Sequence, residues 1–282
     1  MTGTTMTAGS AATTRRPQNP WEYRHLIWNF AQRDLKARYK GTVLGWGWSL
    51  IVPLAVVFTY TLVFSIIFRA VPPQFGSGRD GIFAVWFLVG LVPWSLLAGA
   101  ITGGIPSLLA AGPLLQKIYI PSFVPILGAL GAVLVQSLIE FGVVLVILAI
   151  LGNIGWTWLL LPLWLALFLV FSASLAYILA VAHVHLRDLA QIVTVALQLL
   201  FFATPILYPV DQIPESVGPL PLRTLIMLNP VTEFILGFRS LLYDLEVVPV
   251  AAVGYATAAT VIAAAAAVLV FRRWGRDIGE VI

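Results

Sequence analysis

The sequence predicts an all-α polytopic membrane protein with six transmembrane helices, an N-terminal amphipathic helix at the membrane interface, and short re-entrant helices between spans five and six. Three observations carry this reading. Residues 41–68, 81–116, 156–182, 190–209 and 247–271 contain no Asp, Glu, Lys or Arg, and 123–151 contains only Glu140. About 20 such residues cross a hydrocarbon core as a helix, which satisfies its own backbone groups without water. Hydrophobic residues make up 60% of the 282 and charged ones 10%, against roughly 25% charged in an average soluble domain, and mean hydropathy is +0.96. A water-soluble fold is excluded. Basic residues are also unevenly spread: Arg15, Arg16, Arg24, Arg33, Lys36, Arg38 and Lys40 precede the first run. Threading six spans from a cytoplasmic N-terminus puts Lys117, Arg187, Arg272, Arg273 and Arg276 on that same side, with Arg69, Arg79, Arg223 and Arg239 outside. Positive charge stays cytoplasmic, so both termini are expected inside.

Residues 1–18 are rich in Thr, Ala, Gly and Ser and read as a disordered tail, leaving 19–282 as one membrane domain. Arg15-Arg16 is followed by Pro17 and by no apolar run, so it does not read as an export signal. Asn19 as cap, Pro20 at the first helical position and Glu22 three after the cap start a helix over 19–40. Glu22, His25, Asn29, Gln32, Lys36 and Lys40 form its polar ridge and Tyr23, Leu26, Ile27 and Phe30 its apolar side, the pattern of a helix lying in the interface. The plain alternative is a solvated helix leading into the membrane.

Between spans two and three, residues 107–120 lie between Pro106 and Pro121 and read as a short exposed helix. Spans four and five are joined by a tight polar turn, His183-Val184-His185-Leu186-Arg187-Asp188. On the outer side, 211–246 holds apolar stretches too short to cross, broken at Asn229-Pro230, which suits two helices dipping into the outer leaflet. The chain has no cysteine, which excludes disulfides, thiol catalysis and cysteine metal sites.

Three groups of residues together resemble a known family. They are Arg33-Asp34-Leu35-Lys36-Ala37-Arg38-Tyr39-Lys40-Gly41 followed by Leu44-Gly45 and Trp48-Ser49 through Pro53; Leu186-Arg187-Asp188-Leu189 followed by Thr204-Pro205-Ile206-Leu207-Tyr208-Pro209; and Leu228-Asn229-Pro230 with Arg239 downstream. Over 20–282 the chain resembles permease subunits of polysaccharide-exporting ATP-binding-cassette transporters, the group that includes O-antigen, teichoic-acid and mycobacterial galactan exporters. The resemblance implies a homodimer of six-span subunits in the cell membrane, joined to two copies of a separate ATPase that carries ATP and Mg. No G-x-x-x-x-G-K-[ST] phosphate loop occurs in this chain, in keeping with a non-enzymatic transport subunit that holds no cofactor. It further implies that 19–40 cradles the ATPase and flanks the substrate entrance, that 107–120 is the coupling helix, and that 211–246 forms outer gate helices. Leu115, Gln116, Lys117, Tyr119, Arg187 and Asp188 are then expected to contact the ATPase. Pro205, Tyr208, Asn229, Pro230, Glu233 and Arg239 belong to the outer gate.

A lipid-diphosphate-linked glycan needs cations at the entrance, and Arg33, Arg38 and Lys40 sit where headgroups lie; ordinary positive-inside anchoring is the plain reading of the same residues. A sugar channel wants flat aromatic faces, for which Phe58, Tyr60, Phe64 and Trp94 are candidates, with Trp86 and Tyr177 behind them. Glu140, the acidic residue deep within a span, either lines the channel or makes a structural hydrogen bond, with Gln136 one turn earlier as a partner. His183, His185 and Asp188 lack a fourth ligand, so no metal is expected; nor is a nucleic-acid partner. The rival readings are an ion-coupled secondary transporter using Glu140 and a membrane-bound transferase. The first lacks the inverted repeats common in its class, and the second lacks an acidic or His cluster at the interface beyond residues 183–188. Arg outnumbers Lys, and Ala, Gly and Val are abundant, as in GC-rich genomes; taken with the resemblance, this implies a polyprenyl-diphosphate-linked galactan for the cell wall as the leading cargo.

Overall fold

A computed structural model describes residues 23–41, 43–69, 71–115 and 120–275. The expected tail 1–18, the Asn19-Pro20 helix start, and Gln116, Lys117 and Tyr119 lie outside the described residues. The described chain is helical: α1 Arg24–Tyr39, α2 Trp48–Thr61, α3 Phe83–Leu115, α4 Phe123–Ile150, α5 Leu161–His185, α6 Leu189–Ala203, α7 Leu222–Met227, α8 Pro230–Arg239 and α9 Val250–Val270. π-helical turns extend α2 through Leu62–Ile67, α8 through Ser240–Asp244 and α9 through Phe271–Gly275.

Among the described residues, five helical segments are long and apolar enough to cross a membrane: Trp48–Ile67, Phe83–Leu114, Phe123–Ile150, Trp156–His185 and Val250–Gly275. The expected fifth span, 190–209, is shorter. α6 has 15 residues, about 22 Å at the helical rise of about 1.5 Å per residue, less than the roughly 30 Å of a hydrocarbon core. Its end has a local cause. Pro205 biases the residue before it away from helical geometry, and Thr204 is extended at φ −107, ψ 135.

The expected separate helix over 107–120 is also different: residues through Leu115 are the last turns of α3, which runs unbroken past Pro93, Pro106 and Pro113. Tertiary packing is what holds it: Leu108 and Ala111 are buried with Phe30, Ile126, Ala176 and Ala180. Packing holds as helix a stretch whose prolines suggested a break.

α3 is the central helix, flanked by α4 and α5 and touched by α6 and α8. Small residues allow these approaches, as is usual where no hydrophobic force separates helix from lipid: a Cβ at Gly104 would lie 3.1 Å from that of Ala176. α1 lies along the first half of α4 in the same chain direction. Tyr23 meets Phe123 edge-on with ring centroids 5.9 Å apart, Phe30 fills the space where Gly128 has no side chain, and Arg38 reaches Gln136 at 3.2 Å. α2 and α6 are sparsely covered, with Phe58, Ile66, Ile192, Leu199 and Phe202 all exposed.

Candidate functional site

Four of the sequence-predicted outer-gate residues meet at the break after α6. The last carbonyls of a helix have no intrahelical donor, and beyond Ala203 the chain turns away within the protein, with Ile206 fully buried. Arg239, at the end of α8, supplies donors to two carbonyls of this buried turn, beyond the helix itself. Its Nη1 donates to the Pro205 carbonyl at 2.5 Å and its Nη2 to the Ile206 carbonyl at 2.6 Å. The guanidinium lies over the Trp86 ring, 3.5 Å from the centroid, and against Gly90, where a Cβ would stand 2.8 Å from Nη2. Arg239 is only 3% exposed, which answers the open question of its role: within this chain it is a brace between α8, α3 and the α6 break.

Asn229 ties the other end of α8 to the same break. Its Oδ1 caps the helix by accepting from Val231 N at 3.0 Å, with Pro230 at the first helical position as expected. Its Nδ2 donates to Thr204 Oγ1 at 3.1 Å, and Thr204 donates back to the Leu200 carbonyl at 2.7 Å. Tyr208 donates to the Phe202 carbonyl at 2.7 Å. Both ends of α8 therefore grip residues 204–206.

Glu233 is not part of this grip. It is half-buried and lines a cavity of about 430 Å³ together with Arg239, Asp211, Asp244, Pro209 and Trp86. Burial pushes the Glu233 carboxyl up and the Asp244 carboxyl up to about 6, the latter against the pull of Arg239; burial likewise pushes Arg239 down.

Residues absent from the sequence reading lock this region from above. Asn153 is fully buried; its Nδ2 donates to the Leu242 and Tyr243 carbonyls at 3.0 and 2.9 Å, and its Oδ1 accepts from Ser77 N at 3.1 Å. Thr157 donates to the Leu241 carbonyl at 2.7 Å, and Tyr243 donates to the Pro73 carbonyl at 2.8 Å. Arg79 donates to the Leu151 carbonyl and packs on Gly152, whose φ of +71 suits glycine. The signal available was the Gly152-Asn153-Ile154-Gly155 turn, a polar side chain between two glycines at a span end.

At the other end of α4, the entrance candidates separate. Arg33 pairs with its neighbour Asp34 at 3.1 Å, and its guanidinium covers the Phe30 ring at 4.7 Å. Lys40 is exposed. Arg38 alone of the three reaches a span, donating to Gln136 Oε1 at 3.2 Å, while Gln136 Nε2 donates to Glu140 Oε1 at 3.0 Å. Glu140 is 3% exposed, and its contact is the hydrogen bond with Gln136 that the one-turn spacing suggested.

The channel candidates divide as well. Tyr60, Phe64 and Trp94 join one aromatic cluster between α2, α3 and α6: Tyr60 lies 5.2 Å from Phe87 and 6.1 Å from Phe201, Phe64 stacks on Phe83 at 5.7 Å, and Trp94 meets Phe201 at 5.5 Å. Phe58 faces away and is 70% exposed. Of the coupling candidates, Leu115 ends α3 while Arg187 and Asp188 are exposed in the turn before α6. Among the described residues no group of three or more potential metal ligands occurs.

A bundle of apolar membrane-length helices defines a multi-pass membrane protein. The model of the ABC-2 type transporter family matches residues 25–243, and the chain belongs to that family. It is 32% identical over 230 residues to the O-antigen export system permease protein RfbA of Myxococcus xanthus, covering 79% of this chain and 82% of that one. A Klebsiella pneumoniae protein of the same description is 30% identical over 213 residues, covering 74% of this chain and 76% of its own.

Proposed function

We propose that this chain is the membrane subunit of an ATP-driven exporter that moves a polyprenyl-diphosphate-linked polysaccharide, with a galactan as leading cargo, from the cytoplasmic side to the outer face of the cell membrane. The observation that carries the reading is the family match over residues 25–243, with relatives described as O-antigen export permeases. In this reading α2 to α6 and α9 are the six spans, the chain after Ala203 completing the crossing begun by α6, and both termini are cytoplasmic. Two copies pair, and the uncovered apolar faces of α2 and α6 suit such pairing. ATP and Mg are held by a separate ATPase, two copies of which dock on the segment around 107–120 and on Arg187 and Asp188.

α1, packed along the first half of α4 rather than flat in the interface, stands beside the substrate entrance, and Arg38 is the cation best placed to meet a diphosphate. The aromatic cluster around Tyr60, Phe64 and Trp94 faces the sugar path when the second copy closes it. The braced hairpin α7–α8 is the outer gate. Family membership does not favour the rival ion-coupled mechanism through Glu140.

Two measurements test this. Purification from membranes brings down an ATP-binding-cassette ATPase in stoichiometric amount, and depletion of the chain makes lipid-linked glycan accumulate inside, identified by mass spectrometry. Transport by vesicles holding this chain without any ATPase would overturn the reading.

A further inference from the structure

We infer that Gln136 is a positioning residue that fixes the Arg38 guanidinium for the diphosphate of the cargo, an assignment that rests on Arg38 lying in the cargo path. A guanidinium has donors only, so the Gln136 amide must turn its oxygen toward Arg38, and the 3.2 Å contact is to Oε1. That orientation aims the amide N–H the other way, where Glu140 Oε1 accepts it at 3.0 Å. The guanidinium thus leaves the amide one orientation, with Gln136 as the spacer between Arg38 and Glu140.

The surroundings match the task. Arg38 is exposed whereas Glu140 is buried, so the track runs from an accessible cation to an anchor inside the bundle. The guanidinium lies against α3 at Gly103, where a Cβ would already stand 3.5 Å from Nη2. The contact to Gln136 engages Nη1 and leaves the planar fork with further donors, the geometry that recognises phosphate oxygens in pairs. Arg33 differs: its charge is matched by Asp34 on the same helix. Because α1 and α4 run in the same direction, Arg38 stands about 20 Å along α4 from Phe123, at the helical rise of about 1.5 Å per residue. Holding a long side chain in its binding pose lowers the ordering cost of association.

The test uses the full-length chain in lipid nanodiscs, with a synthetic polyprenyl diphosphate as probe and a polyprenol of equal length as control. Arg38→Ala weakens diphosphate binding about tenfold or more, the loss of charge-assisted hydrogen bonds. Gln136→Met, which keeps the volume and removes the amide, weakens it several-fold, and the double variant binds no worse than Arg38→Ala alone. Polyprenol binding stays unchanged in all three. Should Gln136→Met fail to assemble, Gln136→Glu replaces it: a carboxylate facing Arg38 competes with the diphosphate and weakens binding at least as much. Wild-type binding by either Gln136 variant alongside a weakened Arg38→Ala, or effects that simply add, would overturn the positioning role. Wild-type binding by Arg38→Ala removes Arg38 from the cargo path and overturns both readings.

Discussion

The Arg239 guanidinium lies 3.5 Å above the Trp86 ring and at the same time donates to two consecutive carbonyls, those of Pro205 and Ile206. A desolvated cation–π contact contributes about 2 kcal/mol, and each hydrogen bond from a charged donor about 1.5–3 kcal/mol. One side chain therefore joins α3, α8 and the end of α6.

Arg239→Met removes the donors and leaves both carbonyls buried without partners, at a cost of about 1–3 kcal/mol each. A lower melting temperature in detergent and loss of export are expected. Arg239→Lys is intermediate, because a point ammonium lacks the planar fork that reaches two carbonyls at once. Equal melting of wild type and Arg239→Met would dismiss the brace.

Gly90→Val tests the same joint from the opposite side. Even a Cβ would stand 2.8 Å from Arg239 Nη2, so the guanidinium is pushed off the Trp86 face. The variant is expected to melt early, and in a double-mutant cycle with Arg239→Met the two losses are less than additive. Full additivity would place Gly90 outside the joint.

Asn153→Leu is close in size but takes the side-chain partner from the Leu242 carbonyl and the Ser77 N–H, while the Tyr243 carbonyl keeps its bond from Gly76 N. At about 1–3 kcal/mol per buried orphan, this substitution in a buried turn is expected to destabilise as much as a core truncation. Thermal unfolding monitored by tryptophan fluorescence decides it.

Glu140→Gln retains an acceptor for the Gln136 N–H, whereas Glu140→Leu removes it. Export is expected to survive the first and fall in the second. Loss of export in Glu140→Gln, with the protein still folded, would show that charge and not hydrogen bonding is required.

Asp244 gives a pH signature. Burial raises its carboxyl from 3.8 to about 6 in the folded chain, so between those values the native state binds more protons than the unfolded one. Its ionisation is a destabilising term, fully present above about 6 and gone below about 3.8; stability from this group rises as pH falls through that window. Melting temperatures measured from pH 7.5 to 5 should rise, and Asp244→Asn should flatten part of that rise. An unchanged slope in the variant would assign the effect elsewhere.

Several features of the fold were legible along the chain because hydrocarbon imposes them locally. Five of the apolar runs are membrane-length helices, since a backbone in lipid has few other ways to satisfy itself. The early end of α6 was also written locally, in Pro205, but counting apolar residues past it overstated the span. α3 could not be read correctly from its prolines: the burial of Leu108 and Ala111 against distant Phe30 and Ala180 keeps 107–115 helical. Asn229-Pro230 as a helix start was visible because capping acts over two residues. Its bond to Thr204, 25 residues away, was not.

What the sequence by itself determined is the solvent: a charge-poor chain with basic residues gathered on one side belongs in a membrane, and its motif groups pointed to the family later shown. The partners of individual charges were decided only in three dimensions. Arg239 and Glu233 share a short helix yet part ways, and Arg38 finds Gln136 across 98 positions, because in a dry interior each polar group goes to whichever complementary group the packing of distant helices brings within about 3 Å.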